Sequence, residues 1–393
     1  MPISRRVALD GGIAVALAIA LGVVFLADRG HPSDSANTTN VTPEIVTPPE
    51  PVAPPLRLAV TPPKYDDMGK LLDQLGTGFR HTEIPLETLE DASKLAEYDV
   101  IFLTCGFDSR HWLLPGDLGQ AERPGVHRAK YNDEMMARVR DALRSYVGGG
   151  GTLYASDWRL TLIRLCFEEL FDGEDIVEGS KQTLVADVVD DGLRDVLGSK
   201  VELKFDLAGW KPARFAADKA KPYLRGEYEA NVGGARTTAP LLITVPFEKG
   251  TIIFTSFHNE KVNSELETKL LRFLVFAAVT AKETSAAQQT MLSGGFSPKK
   301  QSLLSASGDA QPVTSTFKND KRRPLRFVLS FTNQGAELVL AIRGPNGETS
   351  ERAGASTITV DVPDAAQGEW TCAITARKVP YPNFPFSLSV GSN

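Results

Sequence analysis

The sequence predicts an α/β protein with a doubly wound, mostly parallel sheet, followed by a C-terminal all-β sandwich and preceded by an N-terminal transmembrane helix. Three observations predict this. Tyr98-Asp-Val-Ile-Phe-Leu-Thr104 is an apolar run without alternation, the pattern of a strand buried on both faces, and it lies among amphipathic helical stretches. From about residue 314 onward the apolar period becomes 2, with turn residues between short runs and no helical pattern. Near the N-terminus, Gly11 to Ala27 is apolar all round and follows Arg5 and Arg6.

The N-terminal run is slightly short of the roughly 20 residues that span a bilayer comfortably. It is also slightly long for the apolar core of a signal peptide. The two arginines precede it and only Asp28 and Arg29 follow closely, so the N-terminus is expected in the cytoplasm and everything after about residue 30 outside. A single-pass anchor over residues 1–29 and a cleaved signal both remain open; the lack of a clean small-x-small site favours the anchor. Residues 30–55 read as a linker, because Thr42 to Pro55 is dense in proline and nearly empty of core formers.

Residues 56–282 alternate strands and helices. Leu56–Val60 reads as a strand, and Asp66–Leu75 as a helix with Met68, Leu71, Leu72 and Leu75 on one face. Gly76 to Gly78 stops it. Phe79–Ile84 is a second strand and Leu86–Leu95 a short helix. After the Tyr98–Thr104 strand, the glycine- and proline-containing stretch Cys105–Tyr131 reads as an inserted loop. Asn132 is placed to cap a helix that presents Met135, Val139, Leu143 and Tyr146 to the core. Gly148 to Gly151 breaks it, Thr152–Ser156 is the next strand, and Trp158–Phe171 is helical. Strands are expected at Thr183–Val189 and Val201–Phe205, with a helix at Asp190–Leu197. Pro240 to Ser256 reads as a hairpin whose turn, Glu248-Lys-Gly250, takes its positive φ from the glycine. A last helix runs from Ser264 to about Ala281. Alternation of this kind implies an open sheet of flavodoxin-like type.

Residues 283–313, rich in Ser, Gln, Gly and Lys, read as a second linker, and 314–393 as the β-sandwich. Its strands are expected at 325–331, 337–343, 356–362, 369–377 and 384–390, with Trp370 as a core anchor.

Composition narrows function. A net charge of −6 argues against a general nucleic-acid binder, which needs a basic surface. The three cysteines, Cys105, Cys166 and Cys372, show no CxxC spacing, so neither a zinc ribbon nor a disulfide framework is expected. Cys166 and Cys372 sit in apolar patterns and read as buried hydrophobes. There is no phosphate loop, dinucleotide fingerprint or helical zinc motif, so no cofactor and no resident metal is expected. Asp108, His111 and His127 form a loosely spaced alternative metal set in the inserted loop.

Three stretches carry a resemblance: Tyr98 to Leu103, the helix-to-strand junction Leu143 to Asp157, and Glu248 to Glu260. In that order they resemble the class I glutamine amidotransferase-like superfold, including its ThuA-like branch, over roughly residues 56 to 282. The last stretch is similar to the family's closing strand, whose His-Pro-Glu completes a Cys-His-Glu triad; Asn259 stands in place of the proline. The resemblance implies a cysteine on a glycine-flanked elbow, yet Ala155-Ser156-Asp157-Trp158 occupies that strand end. Without glycine neighbours the strained turn is not expected there, and Asp157 is read as a cap for the helix starting at Trp158. Cys105 ends another parallel strand, and the carboxyl ends of such strands share one edge. Cys105, His258, Glu260 and Asp157 are therefore the candidate catalytic set if the chain is an enzyme, with Cys105 as nucleophile, His258 as base and Glu260 or Asp157 as orienter. The competing reading makes Cys105 a buried thiol and His258 a loop-bonded histidine, and the missing elbow favours it. The C-terminal residues Ala336 to Gly347, Gly368 to Ala376 and Pro385 to Val390 resemble the pre-peptidase C-terminal type of β-sandwich.

The expected function is a membrane-anchored extracytoplasmic binding or accessory protein of bacterial type. Its amidotransferase-like domain would not be catalytic, and its sandwich would be an interaction module. Its partners are the membrane, through the N-terminal helix, and an unidentified protein or small-molecule ligand. The alternative is a cysteine-dependent hydrolase or amidase using Cys105 and His258.

Overall fold

A computed structural model describes residues 52–106, 133–173, 177–258, 265–308 and 311–393. The expected anchor at 1–29, most of the 30–55 linker, Asp108, His111, His127 and Glu260 lie outside them. No helix among the described residues is long and apolar enough to cross a membrane.

The unbroken apolar runs become the centre of a nine-stranded sheet. In chain order its elements are β1 (Leu58–Val60), α1 (Met68–Leu75), β2 (His81–Glu83), α2 (Ala92–Leu95), β3 (Val100–Leu103), α3 (Asp133–Gly148), β4 (Thr152–Ser156) and α4 (Leu160–Cys166). Then come β5 (Gln182–Val188), α5 (Asp191–Leu197), β6 (Lys200–Phe205), β7 (Lys221–Glu229), β8 (Arg236–Phe247), β9 (Gly250–Thr255) and α6 (Glu265–Val279). The strand order is β2-β1-β3-β4-β9-β8-β7-β5-β6. Pairing is parallel from β2 through β9 and antiparallel from β9 through β6. The sheet is thus mixed, where a mostly parallel one was expected. The reason is the hairpin-linked strands β7 and β8, which continue the sheet without crossover helices.

Helices cover both faces, because alternate strand residues point to opposite sides. Ile101, Leu103, Leu153, Ala155, Ile252 and Phe254 pack with α3 and α4. Val100, Phe102, Tyr154 and Ile253 pack with α1, α5 and α6 on the other side. Each fully buried Leu, Ile, Val or Phe contributes about 1.5–3 kcal/mol of transfer free energy, so the two layers lock strand order and register together. Helix α1 shows the local logic. The Asp67 side chain accepts the Lys70 N–H at 2.9 Å. Met68, Leu71, Leu72 and Leu75 are buried, and Gly76 ends the helix at φ 107°.

The expected hairpin turn is present with its roles exchanged. The positive φ, 51°, falls on Glu248. Gly250 has no positive φ; a Cβ there would collide with the carbonyl oxygens of Val147 and Gly151, so glycine serves close backbone approach.

The described residues of the segment 283–313, expected as a linker, instead carry a helix and strands. The segment contributes α7 (Ala281–Ser293) and β10 (Ser297–Ala306), and β11 (Val313–Asn319) begins at its end. The sandwich continues with β12 (Arg323–Ser330), β13 (Glu337–Arg343), β14 (Thr349–Gly354), β15 (Ile358–Ala365), β16 (Gly368–Lys378) and β17 (Phe384–Ser392). Two antiparallel sheets form, β10-β17-β12-β15 and β11-β16-β13-β14. Trp370 is 1% exposed in the core between them, its ring 5.9 Å from that of Phe327 and its indole N–H donating to Ala366 O at 3.0 Å. Its expected role as a core anchor holds.

Sandwich and α/β layers are joined by packing. Ala287 and Met291 of α7 contact Val328 of β12. Leu303 of β10 belongs to the α/β core, and Lys300 Nζ lies 2.5 Å from Asp195 Oδ2. The last residues of the proline-rich stretch are tied to the sandwich as well, Ala53 N–H donating to Asn333 O at 2.5 Å.

Candidate functional site

The parallel half of the sheet brings the carboxyl ends of β1, β3, β4 and β9 to one edge. Beyond β3, Thr104 and Cys105 are followed by Gly106 at φ 139°, where a Cβ would lie 2.6 Å from Lys64 Cβ. Two threonines bind β1 to β3 at this edge: Thr61 Oγ1 and Thr104 Oγ1 are 3.0 Å apart, and Thr104 N–H donates to Thr61 Oγ1 at 3.0 Å.

Ser156 is structural. It is fully buried, accepts the Cys105 N–H at 2.9 Å and donates to Asp66 Oδ2 at 2.6 Å. This stitches β3, β4 and the approach to α1 into one unit.

Asp157 does not cap a helix, contrary to the sequence expectation. It takes φ 45°, a left-handed conformation that Asp tolerates better than most residues, and α4 starts at Leu160 with no side-chain cap. A strained strand-end turn is therefore present despite its glycine-free flanks, and a carboxylate stands on it. Asp157 Oδ1 accepts the Lys211 N–H at 2.6 Å. Asp157 Oδ2 lies 2.9 Å from His258 Nε2 and accepts from the Cys105 thiol at 3.7 Å.

Cys105, Asp157 and His258 thus converge, as the shared strand edge implies. Their donor atoms all lie within 4.8 Å of one another. Cys105 is 1% exposed. Burial pushes its thiol well above the usual thiol range, and the Asp157 charge adds to this; the Trp158 amide opposes it. His258 is the solvent-facing member, with 21% of its side chain exposed. The ring of Tyr65 stacks on it at 6.4 Å with 15° between planes. A small crevice beside the histidine is lined by Leu203, Lys204, Phe257, Glu267 and Leu270.

Sequence reasoning misses Asp66, Tyr65 and Lys211 as parts of this site. In the sequence Asp66 marks only a helix start, and no motif marks the other two; Lys211 enters through its backbone amide, which carries no side-chain signature. Chemically, the arrangement offers a buried neutral thiol, a carboxylate and an imidazole at one point, the donor types that hold a soft divalent cation.

The sequence matches no family model and no curated protein. Solved structures similar to it include a ThuA-like protein of Bacteroides uniformis, with a TM-score of 0.39, 11% identity, and coverage of 65% of this chain and 98% of that one. A GMP synthase component from Thermoplasma acidophilum gives a TM-score of 0.37 and 13% identity, covering 60% of this chain and 99% of that one. A β-galactosidase of Bacillus circulans gives 0.33 and 14%, covering 81% of this chain and 41% of that one. Similarities this distant locate neither a site nor an activity.

Proposed function

We propose that this is a membrane-anchored, extracytoplasmic binding or accessory protein. Its amidotransferase-like domain takes a ligand at the carboxyl edge of the parallel strands without nucleophilic thiol chemistry, and its β-sandwich serves as an interaction module. One observation carries the binding reading: Cys105 is buried against the Asp157 carboxylate, and its thiol is raised where a nucleophile must be lowered. The atom on the strained turn is a carboxylate oxygen, and the neighbouring hydroxyl, Ser156, is committed to Asp66 and the Cys105 amide. The anchor reading is supported by the apolar run Gly11–Ala27 behind Arg5 and Arg6.

Iodoacetamide labelling tests the binding reading. Cys105 is expected to react slowly in the native protein and fully only after denaturation. Fast native labelling near neutral pH that disappears in His258→Ala would establish the alternative, a hydrolase with Cys105 as nucleophile and His258 as base. The anchor is tested by fractionating cells that express the chain with and without residues 1–29. Only the longer chain should sediment with membranes and be digested by protease added from outside the inner membrane.

A further inference from the structure

We infer that Cys105, Asp157 and His258 form a site for one divalent transition-metal ion of the zinc type. The inference rests on the reading that this edge binds a ligand, and it names the ligand class.

Three strand ends deliver three different donors. The sulfur comes from the end of β3, the carboxylate oxygen from the end of β4 and the ring nitrogen from the end of β9. Sulfur and oxygen are 3.7 Å apart, nitrogen and oxygen 2.9 Å, and all three lie within 4.8 Å. Zinc bonds of about 2.3 Å to sulfur and about 2.0–2.2 Å to nitrogen or oxygen place tetrahedral donors roughly 3.3–3.6 Å apart. The sulfur–oxygen pair is already close to that range; nitrogen and oxygen must open by about half an ångström, and sulfur and nitrogen, at most 4.8 Å apart, close by up to roughly 1.2–1.5 Å, shifts that side-chain rotation supplies. Sulfur and imidazole select zinc, cobalt or nickel over magnesium and calcium, which prefer oxygen alone.

The surroundings fit a ligating role for each group. The Lys211 amide holds Asp157 Oδ1 at 2.6 Å, so that Oδ2 is the oxygen turned toward sulfur and nitrogen. The Tyr65 ring lies nearly parallel to the His258 ring, with centroids 6.4 Å apart. The φ of 45° at Asp157 keeps the carboxylate at the meeting point of the three strand ends, and strain stored at such a position is a mark of a functional site. His258 is the partly exposed member of the set, while the Nε2 that would ligate is buried beside Asp157.

Charge balances. In the metal-free state the thiol proton lies toward Asp157 Oδ2. A divalent ion displaces that proton to solvent and binds one thiolate, one carboxylate and one neutral imidazole, for a net charge of zero. Affinity should therefore fall as pH falls.

The test uses the purified full chain, stripped with a chelator and titrated with zinc chloride and with cobalt chloride. One equivalent of either metal should bind, with release of a proton and, for cobalt, a near-ultraviolet thiolate-to-metal charge-transfer band. Cys105→Ala should abolish the band. Asp157→Asn and His258→Ala should weaken binding about tenfold or more while the far-ultraviolet dichroism is unchanged. Cys166→Ala, remote from the site, should keep the band. Absence of stoichiometric binding by the unsubstituted chain, or a band that survives Cys105→Ala, would overturn the inference. Slow iodoacetamide labelling together with no cobalt band removes the metal and leaves the binding reading standing. Fast, His258-dependent labelling of the stripped protein removes the binding reading itself.

Discussion

His258 Nε2 lies 2.9 Å from Asp157 Oδ2, and Asp157 meets it from a backbone conformation of φ 45°. The pair joins the ends of β4 and β9, adjacent parallel strands in register from Thr152–Thr251 to Ser156–Thr255. A left-handed, non-glycine residue costs about 1–3 kcal/mol and persists only where its surroundings hold it.

Asp157 therefore allows shape and charge to be separated. Asp157→Asn should fold with near-normal stability, because Asn also tolerates the left-handed region. Asp157→Val should be less stable by about 1–3 kcal/mol, because a β-branched residue there is a true outlier. Urea unfolding of the two variants reads the difference; equal midpoints would contradict the strain.

Ser156→Ala removes the acceptor of the Cys105 amide and a donor to Asp66, all buried. The expected loss is about 1–3 kcal/mol in chemical denaturation. The rate of native Cys105 alkylation should stay slow. A loss of stability below a few tenths of a kcal/mol would show that the serine does not hold the edge together.

The β8–β9 turn offers a pair of opposite signs. Gly250→Ala drives a methyl into the carbonyls of Val147 and Gly151, which belong to backbone and cannot swing away; a cost of about 1–3 kcal/mol is expected. Glu248→Gly relieves φ 51° and should stabilise by up to about 1 kcal/mol. Thermal melts should move in opposite directions.

Alkaline pH should unfold the protein through its buried thiols. Burial raises Cys166 and Cys372 from 9.0 to about 12. Between these values the unfolded chain releases protons that the folded chain retains, so stability is fully present below about pH 9 and falls as pH rises toward about 12. Denaturant midpoints at pH 8 and pH 10.5 test this, with Cys166→Ala/Cys372→Ala expected to flatten the slope. An unchanged midpoint would refute it.

Legibility from sequence follows the physics of each element. Strands β3, β4 and β9 are readable because burial on both faces leaves an unbroken apolar centre in each, Val-Ile-Phe-Leu, Leu-Tyr-Ala and Ile-Ile-Phe. Strand β7, Lys221–Glu229, is not, because proline, glycine and charged residues break its pattern and its place is set by pairing with β8 on one side and β5 on the other. Helix α7 reads as linker because Ala, Thr, Ser and Gln dominate it; Ala287 and Met291 seat it against Val328, a contact no local pattern announces. Strand β10 begins Ser-Pro-Lys-Lys-Gln and lies at the edge of its sheet, where polar residues are tolerated.

The sequence by itself determined which residues end the central parallel strands, and so that Cys105, Asp157 and His258 would share one edge. That follows from side-chain period and from the rule that parallel strands point their carboxyl ends the same way. Only the tertiary structure decided what those residues can do there. The φ of Asp157, the Lys211 amide on its oxygen, the Ser156 bridge to Asp66 and the burial of the Cys105 thiol all arise from contacts across long sequence separations. Ionisation and donor geometry are properties of surroundings, and no residue carries its surroundings in its own name.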